Sequence, residues 1–115
     1  MSSKQSDNTY KEIVFSNGKT VNIRGARNFS FTTDKTTGKL YAIAVFEDRV
    51  QIYCVDDDTA GVIYVPIVVY ASYSTLISDN KYYFMGPDVR AIYDITDLEN
   101  VGTVFYYEPL VVADD

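Results

Sequence analysis

Three consecutive aspartates, Asp56-Asp57-Asp58, followed by the hydroxyl of Thr59, form the densest set of hard oxygen donors in the chain. Such donors suit a cation like Ca²⁺. A calcium loop, however, spreads its oxygens over about a dozen residues, with a glycine at the tight turn and a distal glutamate. That spacing is missing, so the run reads as an acidic loop tip. Asp94, Asp97 and Glu99 are a second set of carboxylates, of the kind that serve as paired acid and base. A strand end followed by a loop accounts for the same residues. Cys54 stands between Tyr53 and Val55 in an apolar run, and a thiol nucleophile needs a base beside it. The chain contains no histidine. Ser-His triads and His–Cys zinc sites are therefore excluded, and Cys54 is expected in the core. The sequence assigns no catalytic residue, metal ligand or cofactor, and the expectation is a protein that is not an enzyme.

What is left is the chemistry of surfaces. Lys19, Arg24 and Arg27, interleaved with Phe29 and Phe31, offer the mixture of cations and aromatics that small barrels use on single-stranded nucleic acid. Yet the alternation that exposes Arg24 turns Val21 and Ile23 inward, and Phe29 and Phe31 read as buried. A formal charge of −6 also opposes phosphate. Charge is unevenly spread: residues 1–39 carry seven basic and three acidic side chains, residues 40–115 three and thirteen. That split reads as a solvated surface, or as two charged ends suited to head-to-tail association.

Tyrosine is the more informative residue, with eleven copies beside six Phe and no Trp. Tyr82-Tyr83 and Tyr106-Tyr107 are adjacent pairs in expected strands, so one ring of each pair points to each face. Tyr53 and Tyr64 lie in the central apolar block. These six, Tyr53, Tyr64, Tyr82, Tyr83, Tyr106 and Tyr107, are the candidate protein interface, because tyrosine anchors contacts while keeping a polar tip.

The elements that must position these residues are strands. Leu40 to Ala71 holds three apolar runs rich in Val, Ile and Tyr, broken by polar turns. Apolar residues occupy both parities there, which requires cover on both faces from a second sheet or another subunit. Asn17-Gly18 predicts a hairpin with a type I′ turn between strands at residues 10–16 and 20–26. Residues 28–33, 40–47 and 50–55 follow as a meander, with Gly38 at a positive-φ position and Gly25 at a bend. Asp56 to Gly61 reads as a loop, and 62–71 as a strand that lies on an edge or bends at Pro66 from one sheet to another. Residues 73–79 are ambiguous between strand and helical turn. Residues 82–85, 89–95 and 103–112 complete the set, with 97–102 as a loop or single helical turn. VIYVPIVV at 62–69 and VFYYEPLVV at 104–112 echo each other as proline-guarded strands.

The expected fold is all-β: one antiparallel β-sandwich or small β-barrel of about eight to ten short strands over residues 10–115, behind a polar, disordered tail at 1–9. The expected function is non-catalytic protein association, either self-assembly or docking on and blocking a partner, as in viral or phage accessory proteins. Its alternatives are a nucleic-acid binder using the Lys19, Arg24 and Arg27 face, and a small-ligand domain or minor enzyme using Tyr and Asp side chains. Neither a signal peptide nor a 20-residue apolar span is visible, so the expected compartment is the cytoplasm.

Overall fold

Alternating apolar residues pair into ten antiparallel strands, grouped in three sheets, in the computed structural model, which describes residues 12–70 and 72–109. The tail expected at 1–9 and the last residues of the expected final strand lie outside the described residues. Strands β1 (Glu12–Val14) and β2 (Thr20–Asn22) form a hairpin with Ile13 opposite Val21. A first meander orders β3 (Asn28–Thr33), β4 (Leu40–Val45), β5 (Arg49–Cys54) and β6 (Thr59–Tyr64) side by side. A second does the same with β7 (Ser74–Ser78), β8 (Lys81–Met85), β9 (Arg90–Asp94) and β10 (Gly102–Tyr107). Helix among the described residues is confined to two 3₁₀ turns, Ile67–Val69 and Leu98–Asn100. No helix among them is long and apolar enough to cross a membrane.

The turns follow local chemistry, with one exchange. Asn17-Gly18 closes the first hairpin, but only Gly18 takes a positive φ, at +90°. The Gly18 N–H donates to the Phe15 carbonyl, the Phe15 N–H donates to the Lys19 carbonyl, and the Asn17 side chain takes the Lys19 N–H at 2.9 Å. This is a longer loop ending in a left-handed glycine, not the two-residue I′ turn expected. The I′ geometry appears instead at Asp79-Asn80, with φ of 55° and 59°, between the paired Ser78 and Lys81.

Strand β4 shows why the central block is apolar on both parities. Tyr41, Ile43 and Val45 point into a core shared with the second meander, where they join Ile52, Ile77 and Phe84. Ala44 and the following Phe46 point the other way, against Ile23, Ile13 and Val21 of the hairpin segment. Cover on both faces therefore comes from elements of the same chain. Cys54 is buried in the first core, and burial raises its thiol pKa. Phe29 and Phe31 also face the hairpin side, but against expectation they are not buried. Phe29 is half-covered and Phe31 is 52% exposed, because β3 is an edge strand and the short hairpin, which meets Phe31 edge-on through Phe15, covers it only in part.

The stretch at 62–71 is corrected at its start, while its edge position and its bend at Pro66 from one sheet to the other are as expected. Its strand begins earlier, at Thr59, and takes in Gly61, expected in the loop. It ends at Tyr64, and after Pro66 the chain makes a 3₁₀ turn and crosses to the second meander. The ambiguous segment at 73–79 is strand β7, paired with β8 through Leu76 opposite Tyr83. Both members of the VIYVP/FYYEP echo, β6 and β10, are sheet edges that stop before a proline.

Asp34 ties the two meanders together. It lies between β3 and β4 and is 1% exposed. Its carboxylate accepts the N–H groups of Thr36 and Thr37 in its own turn, at 2.7 and 2.9 Å. It also accepts those of Asp79 and Asn80 in the I′ turn of the other sheet, at 2.9 and 2.7 Å. The Lys35 N–H donates to the Ile77 carbonyl at 3.0 Å alongside.

Tyr82 is the least satisfied core residue. It is fully buried, and its hydroxyl has no hydrogen-bond partner among the described residues. Removing an unpaired buried hydroxyl relieves a desolvation penalty of roughly 1 kcal/mol. Tyr82→Phe is therefore expected to raise the unfolding free energy by about that much, seen as a higher urea midpoint at unchanged slope. A loss of stability on urea titration would mean that the hydroxyl has a partner.

Candidate functional site

The six candidate tyrosines separate by strand parity. Tyr82 (0% exposed) and Tyr53 (5%) are core residues and leave the interface set. Tyr53 stacks on Phe15 at 4.8 Å between centroids, and its hydroxyl donates to Asp58. Tyr64 (74%), Tyr106 (43%) and Tyr107 (54%) are exposed, and Tyr83 is half-buried.

Tyr83 belongs to a row that the sequence reading did not assemble. Strand register places Leu76 opposite Tyr83, Tyr83 opposite Ile92, and Ile92 opposite Phe105. These four side chains cross all four strands on the outer face of the second sheet, away from the core, and none is buried. The next row is Met85, Arg90 and Tyr107. On the other flank Lys81 stands opposite Asp94. An apolar centre with a rim of both charge signs is the usual anatomy of a protein contact surface. The matching outer face of the first sheet is covered by the β1–β2 hairpin. Among the described residues nothing equivalent covers this one. Ile92 shares its strand parity with the polar Arg90 and Asp94, a legible signal, but Leu76 lies in the ambiguous segment.

Strand β10 adds an edge to this face. All six of its residues are exposed, and its sequence, GTVFYY, has no charge to discourage pairing. The register slips between Thr103 and Phe105, leaving Val104 as a bulge. Without that slip Phe105 would share a face with Thr103. With it, Phe105 and Tyr107 join the outer face and Tyr106 turns to the inner one. There Tyr106 and Tyr64 line an open cleft of about 390 Å³ between the two sheet edges, together with Tyr93 and Val62. Glu108 accepts hydrogen bonds from Tyr106, at 2.6 Å, and from Tyr70. These bonds lower the pKa of Glu108 and raise those of both phenols.

The expected basic face divides. Lys19 and Arg24 line one cleft, which also holds Arg49. Arg27 lines another with Val45 and Tyr73, and pairs with Glu47 at 3.9 Å. Arg49 lies outside the expected basic group. Its guanidinium lies 4.1 Å from the centroid of the Phe46 ring. The three aspartates also separate: Asp56 accepts the Leu40 N–H at 2.8 Å, Asp57 pairs with Lys39 at 2.7 Å, and Asp58 takes Tyr53 and Lys19. Among the described residues no three His, Cys, Asp or Glu side chains converge on a point where a metal could sit. Asp97 caps the second 3₁₀ turn by accepting the Glu99 N–H, and Asp94 accepts the Thr96 N–H.

Compared with protein-family models, with curated proteins and with solved structures, the chain matches none.

Proposed function

We propose that this protein is a non-catalytic association module, that its two meanders form a β-sandwich, and that a second copy of the chain covers the outer face of the second sheet. The carrying observation is the row Leu76, Tyr83, Ile92 and Phe105, left uncovered where the first sheet has a hairpin over it. A second copy is favoured because the row is nearly uniform along its length and is flanked by Lys81 and Asp94 on one side and Arg90 on the other. A two-fold contact repeats one patch on both partners, so a patch with both charge signs at its rim complements itself. The exposed β10 edge allows strand pairing in the same contact. Docking on a foreign protein is the form this reading takes if self-association fails. A buried free cysteine suits a reducing cytoplasm, which is the compartment this reading carries, and an accessory role fits a module of this kind.

Light scattering after size exclusion, at micromolar concentration and two salt levels, tests it. The expected result is a dimer or larger at both, because burial outlasts screening of the rim charges. Phe105→Asp, at a residue 48% exposed, is expected to shift the mass to that of one chain without changing the melting curve of the monomer. A single-chain mass for the unaltered protein at both salt levels removes self-assembly.

A further inference from the structure

We infer that the space between the β1–β2 hairpin and the outer face of the first sheet is a binding site for a small organic anion with a flat apolar body. It is independent of the association surface and lies on the other side of the first sheet. The space is lined by small side chains: exposed Ala60 and the buried Ala42 and Ala44 stand beside Phe31, Phe29 and Tyr53 of the neighbouring strands. Phe29, Tyr53 and Val62 wall a slot of about 240 Å³. That is slightly below the roughly 300–1,000 Å³ typical of organic ligand sites. The slot opens into a cleft of about 440 Å³, and Val21, Gln51, Tyr53 and Ala60 line both.

The cleft supplies the charge. Lys19, Arg24 and Arg49 line it against the single carboxylate of Asp58, in a chain whose formal charge is −6. Lys19 is 3.4 Å from Asp58, and Arg49 is 2.9 Å from Asp48. Arg24 makes no ion pair among the described residues. Its guanidinium is free to bind a carboxylate, sulfonate or phosphate through two parallel hydrogen bonds. Stacking over Phe46 keeps Arg49 at the same mouth. An acid group held there points its body toward the slot, where Gln51 offers one amide. A nucleic-acid strand needs a track of cations, and Arg27, engaged with Glu47 in another cleft, does not extend one. A single planar anion needs only this mouth. An aryl carboxylate and a mononucleotide share that chemistry.

Titration with 1-anilinonaphthalene-8-sulfonate, a planar apolar body bearing one sulfonate, tests the site by fluorescence on the folded protein. Saturable binding is expected. Arg24→Glu, at an exposed residue, is expected to weaken it roughly tenfold or more, the worth of one charged hydrogen-bond partner. Ala60→Phe, filling the slot from an exposed position, is expected to abolish it, while Phe105→Asp on the association face leaves it unchanged. Circular dichroism confirms that each variant is folded. If Ala60→Phe does not fold, Arg24→Glu and the uncharged analogue N-phenyl-1-naphthylamine, expected to bind at least tenfold more weakly, decide alone. Absence of saturable binding, loss in Phe105→Asp, or indifference to Arg24→Glu overturns the site. Displacement of the dye by 2-naphthoate or by adenosine monophosphate supports it and separates the two sources; displacement by neither overturns it.

Discussion

Gly61→Ala is expected to cost about 3 kcal/mol or more, at the upper end of what overpacking does to a core. A Cβ at Gly61 would lie 2.1 Å from the Leu98 carbonyl oxygen and 2.9 Å from its carbon. The Cβ is fixed by the strand backbone and the Leu98 atoms are backbone, so no rotamer change relieves the clash. Gly61 is held in the ladder opposite Ile52. Leu98 is buried at 4% and opens a 3₁₀ turn whose cap is Asp97. One of the two must give way, either the β5–β6 pairing or the turn that closes the core between β9 and β10. Urea denaturation measures the loss. Gly102→Ala is the matched control, because a Cβ there meets nothing within 4 Å and no positive φ is required. It is expected to stay within about 0.5 kcal/mol of the parent. A loss below about 1 kcal/mol for Gly61→Ala would show that the strand and the turn do not pack this closely.

Asp34→Ala is expected to destabilise by roughly 3 kcal/mol, because it strands backbone donors that have no other acceptor. Two of those donors belong to the opposite sheet, 45 and 46 residues away in the chain, so the variant also loosens the register between the meanders. Asp34→Asn retains one acceptor oxygen but turns an N–H₂ toward N–H groups, and is expected to recover only part of the loss. The same geometry dictates a pH response. Burial pushes the carboxyl up, but the N–H groups of Thr37, Asn80, Thr36 and Asp79 together outweigh it and hold the pKa at about 2, below the ordinary 3.8. Since the folded pKa is the lower one, the unfolded chain binds the proton first as pH falls. The contribution is complete above about pH 4 and is lost on the way to pH 2. Its size is about 2 kcal/mol, from the 1.36 kcal/mol carried by each pKa unit. Denaturant midpoints measured between pH 5 and 2 should fall less steeply in Asp34→Ala than in the parent. Parallel curves would mean that Asp34 does not hold these donors.

Both effects lie at positions the sequence represents poorly. DKTTGK reads as a polar turn, and Gly38 does take a positive φ of 82° there. Nothing in those six residues reveals that the aspartate reaches a second turn in another sheet. Gly61 follows an acidic loop and reads as its last residue. Only the crossing of the Leu98 turn makes it a place where no side chain fits. The interface shows the same limit. Tyr82 and Tyr83 are equivalent in sequence, yet one is the core and the other the centre of the outer row. At β10 the bulge at Val104 reverses the parity that simple alternation assigns to every later residue.

The sequence by itself determined the strand class and most of the elements. Period-two alternation, turn residues such as Gly18 and Gly38, and the prolines after β6 and β10 act over a few neighbouring residues and mark most strands of both meanders; the start of β6 at Thr59 and the strand β7 do not follow from them. Val89, Ala91, Tyr93 and Ile95 turn inward as their alternation requires. The tertiary structure alone decided which face of each strand is covered and by what. Where both parities are apolar, as in β4, local pattern cannot rank the faces. Burial then depends on surfaces brought from distant parts of the chain: the hairpin over one sheet, the Leu98 turn over Gly61, and the I′ turn over Asp34. The same packing left the row from Leu76 to Phe105 uncovered and opened a slot above Ala42 and Ala44, because a short hairpin covers only part of one sheet face.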